Sequence, residues 1–542
     1  MMTPLSFTAP TLDYLLLTPF LIVLGAACVG ILVEAFVARS VRFATQVVVA
    51  VVGLAAAIAV IAWRWGTAGQ GLVDPVQASS TSIVSGTVLV DGPVQSMWAI
   101  LFGFGLISVI GFAERRVHSG ATAFTPSAAA IPGSQAETDA AEAGLVHSEV
   151  FPLALFSIAG MALLVSANDL LVLFVGLEIL SLPLYVMSGL ARHRRLVSQE
   201  AALKYFLLGA AASAIFLFGV ALLFGFAGGF SYDKIAAGVS FTAGADPLLL
   251  GGLALIAVGL LFKIGAVPFH SWVPDVYQGA PTPVTAFMSV CTKIAAVGGL
   301  LRLFYVALGG MRWTWQPILA AVAILTIVVG AIIAINQADV KRILAYSSIA
   351  HAGFVLVPVV GAVTLGNNLA SGQAGSVASI LFYLVAYGFA TIGAFTVVSL
   401  IRSQGHEVTD LNAWAGVGRK HPVIGIAMLI FLLSLAGIPL TAGFIGKFAA
   451  FAAAWRGGFW WLALVAIAGS LVAVYIYIRV IQVMFFQQAG EDPDRAEVAP
   501  IGVPSWIVLI ICIIGTIGLG LVPGPLLDLL QSAATFVIPS GT

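Results

Sequence analysis

The chain has 542 residues, of which 61% are hydrophobic and 8% charged, and its mean hydropathy is +1.09. Soluble domains carry about 25% charged residues, so this composition excludes an ordinary soluble protein and requires an integral membrane protein. The 23 basic and 23 acidic residues balance, and no basic tract exceeds Arg192-His193-Arg194-Arg195, which leaves no electrostatic footprint for nucleic acid.

Taking about 20 apolar residues per crossing, the sequence predicts spans at 13–37, 43–63, 95–113, 149–167, 169–191, 200–228, 247–268, 282–305, 317–336, 343–365, 376–401, 421–454, 459–487 and 504–530. The fold class is all-α, a polytopic membrane protein of about 14 transmembrane helices. No Lys or Arg precedes the first span, and Arg39 and Arg42 follow it. That order is wrong for a cleaved signal peptide, so the first span is expected to be retained. Glu34, near its inner end, reads as an interfacial or intersubunit contact. Cys28, Cys291 and Cys512 are scattered through separate apolar segments without metal-ligand spacing or a disulfide framework, and read as packing residues.

Connections after odd-numbered spans hold Arg39, Arg115, Arg192, Lys341, Arg402, Arg419 and Arg495 with their basic neighbours. Connections after even-numbered spans hold only Arg64, Lys234, Arg312 and Arg456. The positive-inside bias then places the basic loops in the cytoplasm and both termini outside. Two connections are long, 64–94 and 114–148, and the Ala, Ser and Gly-rich stretch Ser119 to Gly144 predicts a mobile loop.

Spans seven and twelve each join Gly and Pro inside an apolar run, in Lys263-Ile264-Gly265-Ala266-Val267-Pro268 and in Gly437-Ile438-Pro439-Leu440-Thr441-Ala442-Gly443. Freed backbone groups at such breaks line hydrated cavities. Five spans separate the breaks, an odd number that reverses orientation. Helices four to eight and nine to thirteen are therefore expected to form two inverted five-helix repeats. The corresponding divisions are 1–148, 149–310, 311–487 and 488–542.

Four lysines, Lys204, Lys263, Lys293 and Lys447, lie within apolar spans, as does Glu178. An ionisable group at bilayer depth costs roughly 2.5 to 3.5 kcal/mol on insertion scales, so such groups usually serve ion or proton movement. Glu178 lies near mid-span, where a carboxylate takes a raised pKa or a cationic partner, and Lys263 is the expected partner. Lys293 lies halfway along span eight beside Ala295 and Ala296, which leave room for water. Lys447 follows the second break and is the candidate outward end. Lys204 is close enough to a basic loop to snorkel instead. His351 in span ten suits proton exchange, or simply bonds a neighbouring helix. The Pro-rich run from Pro268 to Pro283, with His270, reads as a hydrated entrance or as a rigid turn.

The stretch from Lys263 through Lys293, with His270-Ser271-Trp272-Val273-Pro274-Asp275-Val276-Tyr277-Gln278-Gly279-Ala280-Pro281-Thr282-Pro283, closely resembles the antiporter-like membrane subunits of respiratory complex I. Further matches are Gly176-Leu177-Glu178, Glu200-Ala201-Ala202-Leu203-Lys204-Tyr205-Phe206, Lys341-Arg342-Ile343-Leu344-Ala345-Tyr346-Ser347-Ser348 and Gly437-Ile438-Pro439-Leu440-Thr441-Ala442-Gly443-Phe444. Lys447, where a sister would carry glutamate, and an end soon after span fourteen make the chain most similar to the subunit N branch.

The resemblance implies a fourteen-helix subunit of the membrane arm of a bacterial NADH:quinone oxidoreductase, set in the cell's inner membrane among sister subunits. It implies that Glu178, Lys263, Lys293 and Lys447 are proton-channel residues and that Lys204 matches a further family lysine. It also implies no cofactor or metal in this chain, with NADH, FMN, iron-sulfur clusters and quinone in partner subunits. The expected mechanism is that quinone reduction elsewhere makes Glu178 and Lys263 separate or rejoin and drives protons through Lys293 toward Lys447. The rival readings are a subunit of a multisubunit cation/proton antiporter and a non-conducting spacer of the membrane arm.

Overall fold

Hydrocarbon offers backbone amides no partner, so long apolar runs pair their amides internally as helices. The computed structural model describes residues 13–67, 82–83, 86–117, 120–132, 134–143, 145–241, 246–362, 375–488 and 496–536. Its principal helices are α1 Tyr14–Phe36, α2 Arg39–Thr67, α3 Gly92–Phe112, α4 Val150–Ser166, α5 Leu170–Ser188, α6 Arg195–Ala227, α7 Pro247–Ile264 and α8 Trp272–Gly279. The second half of the chain contributes α9 Thr282–Arg302, α10 Arg312–Ile335, α11 Val340–Val360, α12 Ser376–Leu400, α13 Pro422–Ala436, α14 Ala442–Arg456, α15 Trp460–Phe486 and α16 Val503–Leu521.

Among the described residues, twelve helices are long and apolar enough to cross a membrane. The two other predicted spans differ for local reasons. α4 has only 17 residues, and the predicted span 421–454 is divided into α13 and α14, of 15 residues each.

Several of the scarce aspartates sit at helix starts. Asp91 accepts from Val94 N at 3.1 Å, Asp169 from Leu171 N at 2.8 Å, Asp246 from Leu248 N at 2.8 Å and Asp339 from Arg342 N at 3.0 Å. Each satisfies amides that an α-helix leaves unpaired at its beginning.

Both predicted breaks are present. Gly265 and Gly437 end α7 and α13 in the left-handed region, at φ +80° and +84°, where a side chain would be strained. Hydroxyls meet the amides freed there: Val267 N donates to Thr326 Oγ1 at 3.0 Å and Gly443 N to Ser434 Oγ at 3.1 Å.

Burial is graded from an axis outward. The most apolar window of α9 is wholly buried, that of α11 is 94% buried and that of α12 89%, against 33% for α1, α2 and α15. Exposed leucines, isoleucines and phenylalanines such as Leu32, Phe218, Leu471 and Ile514 cover the outer helices, as lipid contact requires. The axis carries Lys293, His351 and Tyr387.

The connections are less loose than their composition predicts. Two short antiparallel ladders lie in the loops, Ser82–Ile83 with Val88–Leu89, and a three-stranded one in which Ile401–Ser403 pairs with both His406–Glu407 and Glu497–Val498. The expected mobile loop 114–148 is packed over its described residues. Arg195 is 6% exposed and donates to Thr125 Oγ1, Ser127 O and Glu137, the last at 3.0 Å. A buried guanidinium needs several acceptors, and this segment supplies them. Ser119, Gly144 and Arg495, with 68–81 and 84–85 of the other long connection, lie outside the described residues.

Candidate functional site

Of the four lysines expected within spans, three are buried: Lys263 is 2% exposed, Lys293 3% and Lys447 5%. Their surroundings are dominated by hydroxyls and carbonyls rather than carboxylates.

Lys263 lies in the last turn of α7. Its Nζ donates to Tyr185 Oη at 3.3 Å and lies 5.0 Å and 5.1 Å from the ring centres of Tyr185 and Tyr205. Both are within the range where a ring face attracts a cation. Glu178, two turns before Tyr185 on α5, makes no ion pair within 4.0 Å among the described residues, and its buried Oε1 has no hydrogen-bond partner there. The expected Glu178–Lys263 contact is thus replaced by an interaction through space, and Glu178 acts on Tyr185 in the same way.

Lys293 lies mid-way along α9. It donates to Ser348 O at 2.6 Å and to Ser348 Oγ, both on α11, with Tyr387 Oη of α12 at 3.5 Å. Tyr387 donates to Ser348 Oγ at 2.8 Å. One turn along α11, His351 is 3% exposed; its Nδ1 meets Tyr383 Oη at 2.6 Å and its Nε2 meets Tyr477 Oη at 3.2 Å. Both ring nitrogens are therefore engaged, one as donor and one as acceptor in the neutral form. The His351 and Tyr387 rings are 5.1 Å apart, which joins the lysine cluster to the imidazole.

A cavity of about 10 Å³ continues from there, lined by His351, Tyr383, Tyr387, Ser434, Leu435 and Lys447. That is about the space of one water probe, in a polar setting. Lys447, on α14, donates to Leu435 O at 2.8 Å, Ala436 O at 2.9 Å and Ser470 Oγ at 2.8 Å. The first two are carbonyls left unpaired at the end of α13, so the second helix break supplies this lysine's acceptors. At the first break Trp272 Nε1 takes the equivalent role, donating to Phe262 O at 2.9 Å, and Lys263 turns to the tyrosines.

Lys204 is apart from this row. It is 42% exposed and pairs with Asp275 of α8 at 2.8 Å and with Glu200 at 2.7 Å. Asp275 also binds Arg342 at 3.0 Å. Lys204 therefore neither lies free in lipid nor simply snorkels; it ties α6 to the far half of the broken span.

Sequence reasoning missed the connecting hydroxyls Tyr185, Tyr383, Tyr387, Tyr477, Ser348 and Ser470. It also missed Arg302, which is 0% exposed and bound to Asp91 at 2.7 Å. The signal for that pair was an arginine inside an apolar span, and a lone aspartate before Gly92-Pro93.

The family NADH:quinone oxidoreductase/Mrp antiporter, TM, matches residues 167–473, the part of the chain that holds Glu178, Lys204, Lys263, Lys293, His351 and Lys447. A NADH-quinone oxidoreductase subunit N from Cutibacterium acnes is 50% identical over 533 residues, covering 98% of this chain and 97% of that protein. The chain belongs to the NADH-quinone oxidoreductase subunit N family. A second subunit N, from a Nocardioides species, is also 50% identical, over 98% of this chain and 100% of its own length. A chain of Thermus thermophilus respiratory complex I with bound aureothin superposes with TM-score 0.72 at 32% identity, covering 95% of this chain and 99% of that one. A chain of the Mrp complex from a Dietzia species shares the fold, with TM-score 0.75 at 20% identity over 95% of this chain and 97% of its own. The protein is accordingly a multi-pass membrane subunit of the proton-translocating kind. Among the described residues no group of three or more His, Cys, Asp or Glu is placed to hold a metal ion.

Proposed function

We propose that this chain moves protons through the membrane arm of an NADH:quinone oxidoreductase along Glu178, Lys263, Lys293, His351 and Lys447, with Lys204 at the edge of the path. One observation carries the reading: Lys293 and Lys447 lie at the two ends of a buried run formed by Ser348, Tyr387, His351 and a water-sized cavity. Trp272 stacks on Tyr205 at 4.6 Å and meets Tyr277 edge-on at 6.3 Å, so Tyr277, beside Ser348, packs toward the Lys263 cluster through that ring.

Each lysine is taken from water without an adjoining carboxylate, so the balance between ammonium and amine depends on charges nearby. In a low-dielectric interior those charges act strongly. A shift in the Glu178 and Lys263 charges then changes the basicity of Lys293, which takes or releases a proton through Ser348 and Tyr387. His351 exchanges protons through the tyrosine hydroxyls at either nitrogen, and Lys447 discharges on the outer side.

In this reading both termini face outward from a bacterial inner membrane. The spans around the two breaks form the inverted repeats, with the divisions at 149–310 and 311–487. The glycine-ended breaks and the positive-inside bias support that arrangement. NADH, FMN, iron-sulfur clusters and quinone belong to partner subunits. The test is Lys293→Ala in the assembled complex, with protons pumped per NADH as readout. An unchanged ratio favours the spacer reading.

A further inference from the structure

Four connections converge on one side of the molecule: the α5–α6 loop, the α8–α9 turn, the start of α11 and the hairpin Ile401–Glu407. They surround a cavity of about 80 Å³ lined by His193, Thr282, Lys341, Arg402, His406 and Glu407. One water needs about 10 to 15 Å³ on this measure, so the space takes several waters.

The cavity floor is an unusual buried triad. Lys341 is 3% exposed and donates to Ala280 O at 3.0 Å and Thr282 Oγ1 at 3.1 Å, with Glu407 at 3.3 Å. The Thr282 hydroxyl in turn donates to Glu407 Oε2 at 2.6 Å. Lys341 was expected as a basic residue of a cytoplasmic connection, and the relay along Glu178, Lys263, Lys293, His351 and Lys447 does not use this arrangement. At the rim, the His193 and His406 rings meet edge to face, 4.8 Å apart, and His406 is exposed.

The triad points at the relay. Lys341 and Ser348 are seven residues apart on α11, two turns and about 10 Å along one face. Tyr277 is wholly buried: its carbonyl accepts from Thr285 Oγ1 at 3.2 Å, and its hydroxyl is beside Ser348. Ser348 is the acceptor of Lys293.

We infer that Glu407, Thr282 and Lys341 form the proton intake of this chain, gathering protons from the basic-loop side through the cavity rimmed by His193 and His406 and passing them by way of Tyr277 and Ser348 to Lys293. The inference rests on the relay reading above. In one cycle Lys341 gives its proton inward, the Glu407 carboxylate takes one from cavity water, and that proton passes by way of the Thr282 hydroxyl to the Lys341 amine. One proton enters, one leaves, and the pair returns to its starting charge. Lys204, bound to Asp275 and Glu200 away from this cavity, anchors helices instead.

The test uses the complete complex in inside-out membrane vesicles, with protons pumped per NADH measured for Glu407→Gln, Glu407→Asp and, as reference, Lys293→Ala. Glu407→Gln is expected to fall to the level of Lys293→Ala, and Glu407→Asp to retain most pumping. Wild-type pumping by Glu407→Gln beside a depressed Lys293→Ala overturns the intake alone. Wild-type pumping by Lys293→Ala overturns the relay reading and the intake with it. A second readout does not depend on the stability of Glu407→Gln: His406→Cys, in a Cys28→Ser background, is modified with a membrane-impermeant sulfonated methanethiosulfonate. Pumping is expected to drop on modification and return with reductant. Full pumping after complete modification overturns the intake.

Discussion

The Lys263 ammonium donates to the Tyr185 hydroxyl at 3.3 Å, and Glu178 makes no ion pair among the described residues but acts on both electrostatically. The Tyr185 hydroxyl is therefore the contact that holds the Lys263 charge. Tyr185→Phe removes it at constant packing. A hydrogen bond to a charged group contributes about 1.5 to 3 kcal/mol, so the proton-pumping rate of the complex is expected to fall about tenfold or more.

Gly209 offers a way to move the same hydroxyl without altering it. A methyl group at Gly209 would lie 2.1 Å from Tyr185 Oη, so Gly209→Ala must displace the ring end. Its pumping defect is expected to match that of Tyr185→Phe. Normal pumping in Gly209→Ala beside a slow Tyr185→Phe would mean that the position of this hydroxyl does not matter.

Lys447 holds the second break together as well as carrying charge. Lys447→Met leaves the Leu435 and Ala436 carbonyls unpaired in a dry setting, at about 1 to 3 kcal/mol each. Ser470→Ala keeps both carbonyl bonds and costs less. Thermal denaturation of the solubilised complex is expected to rank wild type above Ser470→Ala and Ser470→Ala above Lys447→Met.

Arg302 and Asp91 form a structural pair, 0% and 1% exposed, with no link to the relay. Removing either partner strands a buried charge and costs about 3 to 5 kcal/mol. In the double variant Arg302→Met with Asp91→Leu no charge is stranded, and the losses are smaller ones such as the cap of α3, about 1 kcal/mol, and the contact of Arg302 with the Phe536 ring. Native gels are expected to show little assembled complex for the single variants and recovery in the double one.

His193 in the α5–α6 loop gives a pH dependence of known sign. Burial first, then His406, Arg402 and Arg192, lower its imidazole from 6.5 to about 4, with Glu407 opposing. As pH falls below 6.5 the unfolded chain binds this proton before the folded one, so the group destabilises progressively between 6.5 and about 4 and has no effect above that window. His193→Gln is expected to flatten the acid limb of a thermal-stability profile by that contribution.

The spans, both breaks and the buried lysines were legible because each rests on a local rule: apolar length, Gly beside Pro, and the cost of an ammonium in hydrocarbon. The partners were not. Tyr185, Tyr387 and Ser348 look like ordinary residues of apolar helices, and only helix packing aims the Tyr185 hydroxyl at Lys263 and those of Tyr387 and Ser348 at Lys293. Lys341 reads as a loop cation because nothing nearby in sequence reveals that Glu407, 66 positions on, folds over it. The packing of the described part of loop 114–148 was illegible for the same reason: its contacts come from Arg195, a distant residue that needs acceptors.

The most direct test of the account is the number of protons pumped per NADH by a fully assembled complex carrying Lys293→Ala. A drop in that ratio, with assembly intact, is the expected result. A ratio equal to wild type would contradict the claim that Lys293 conducts protons.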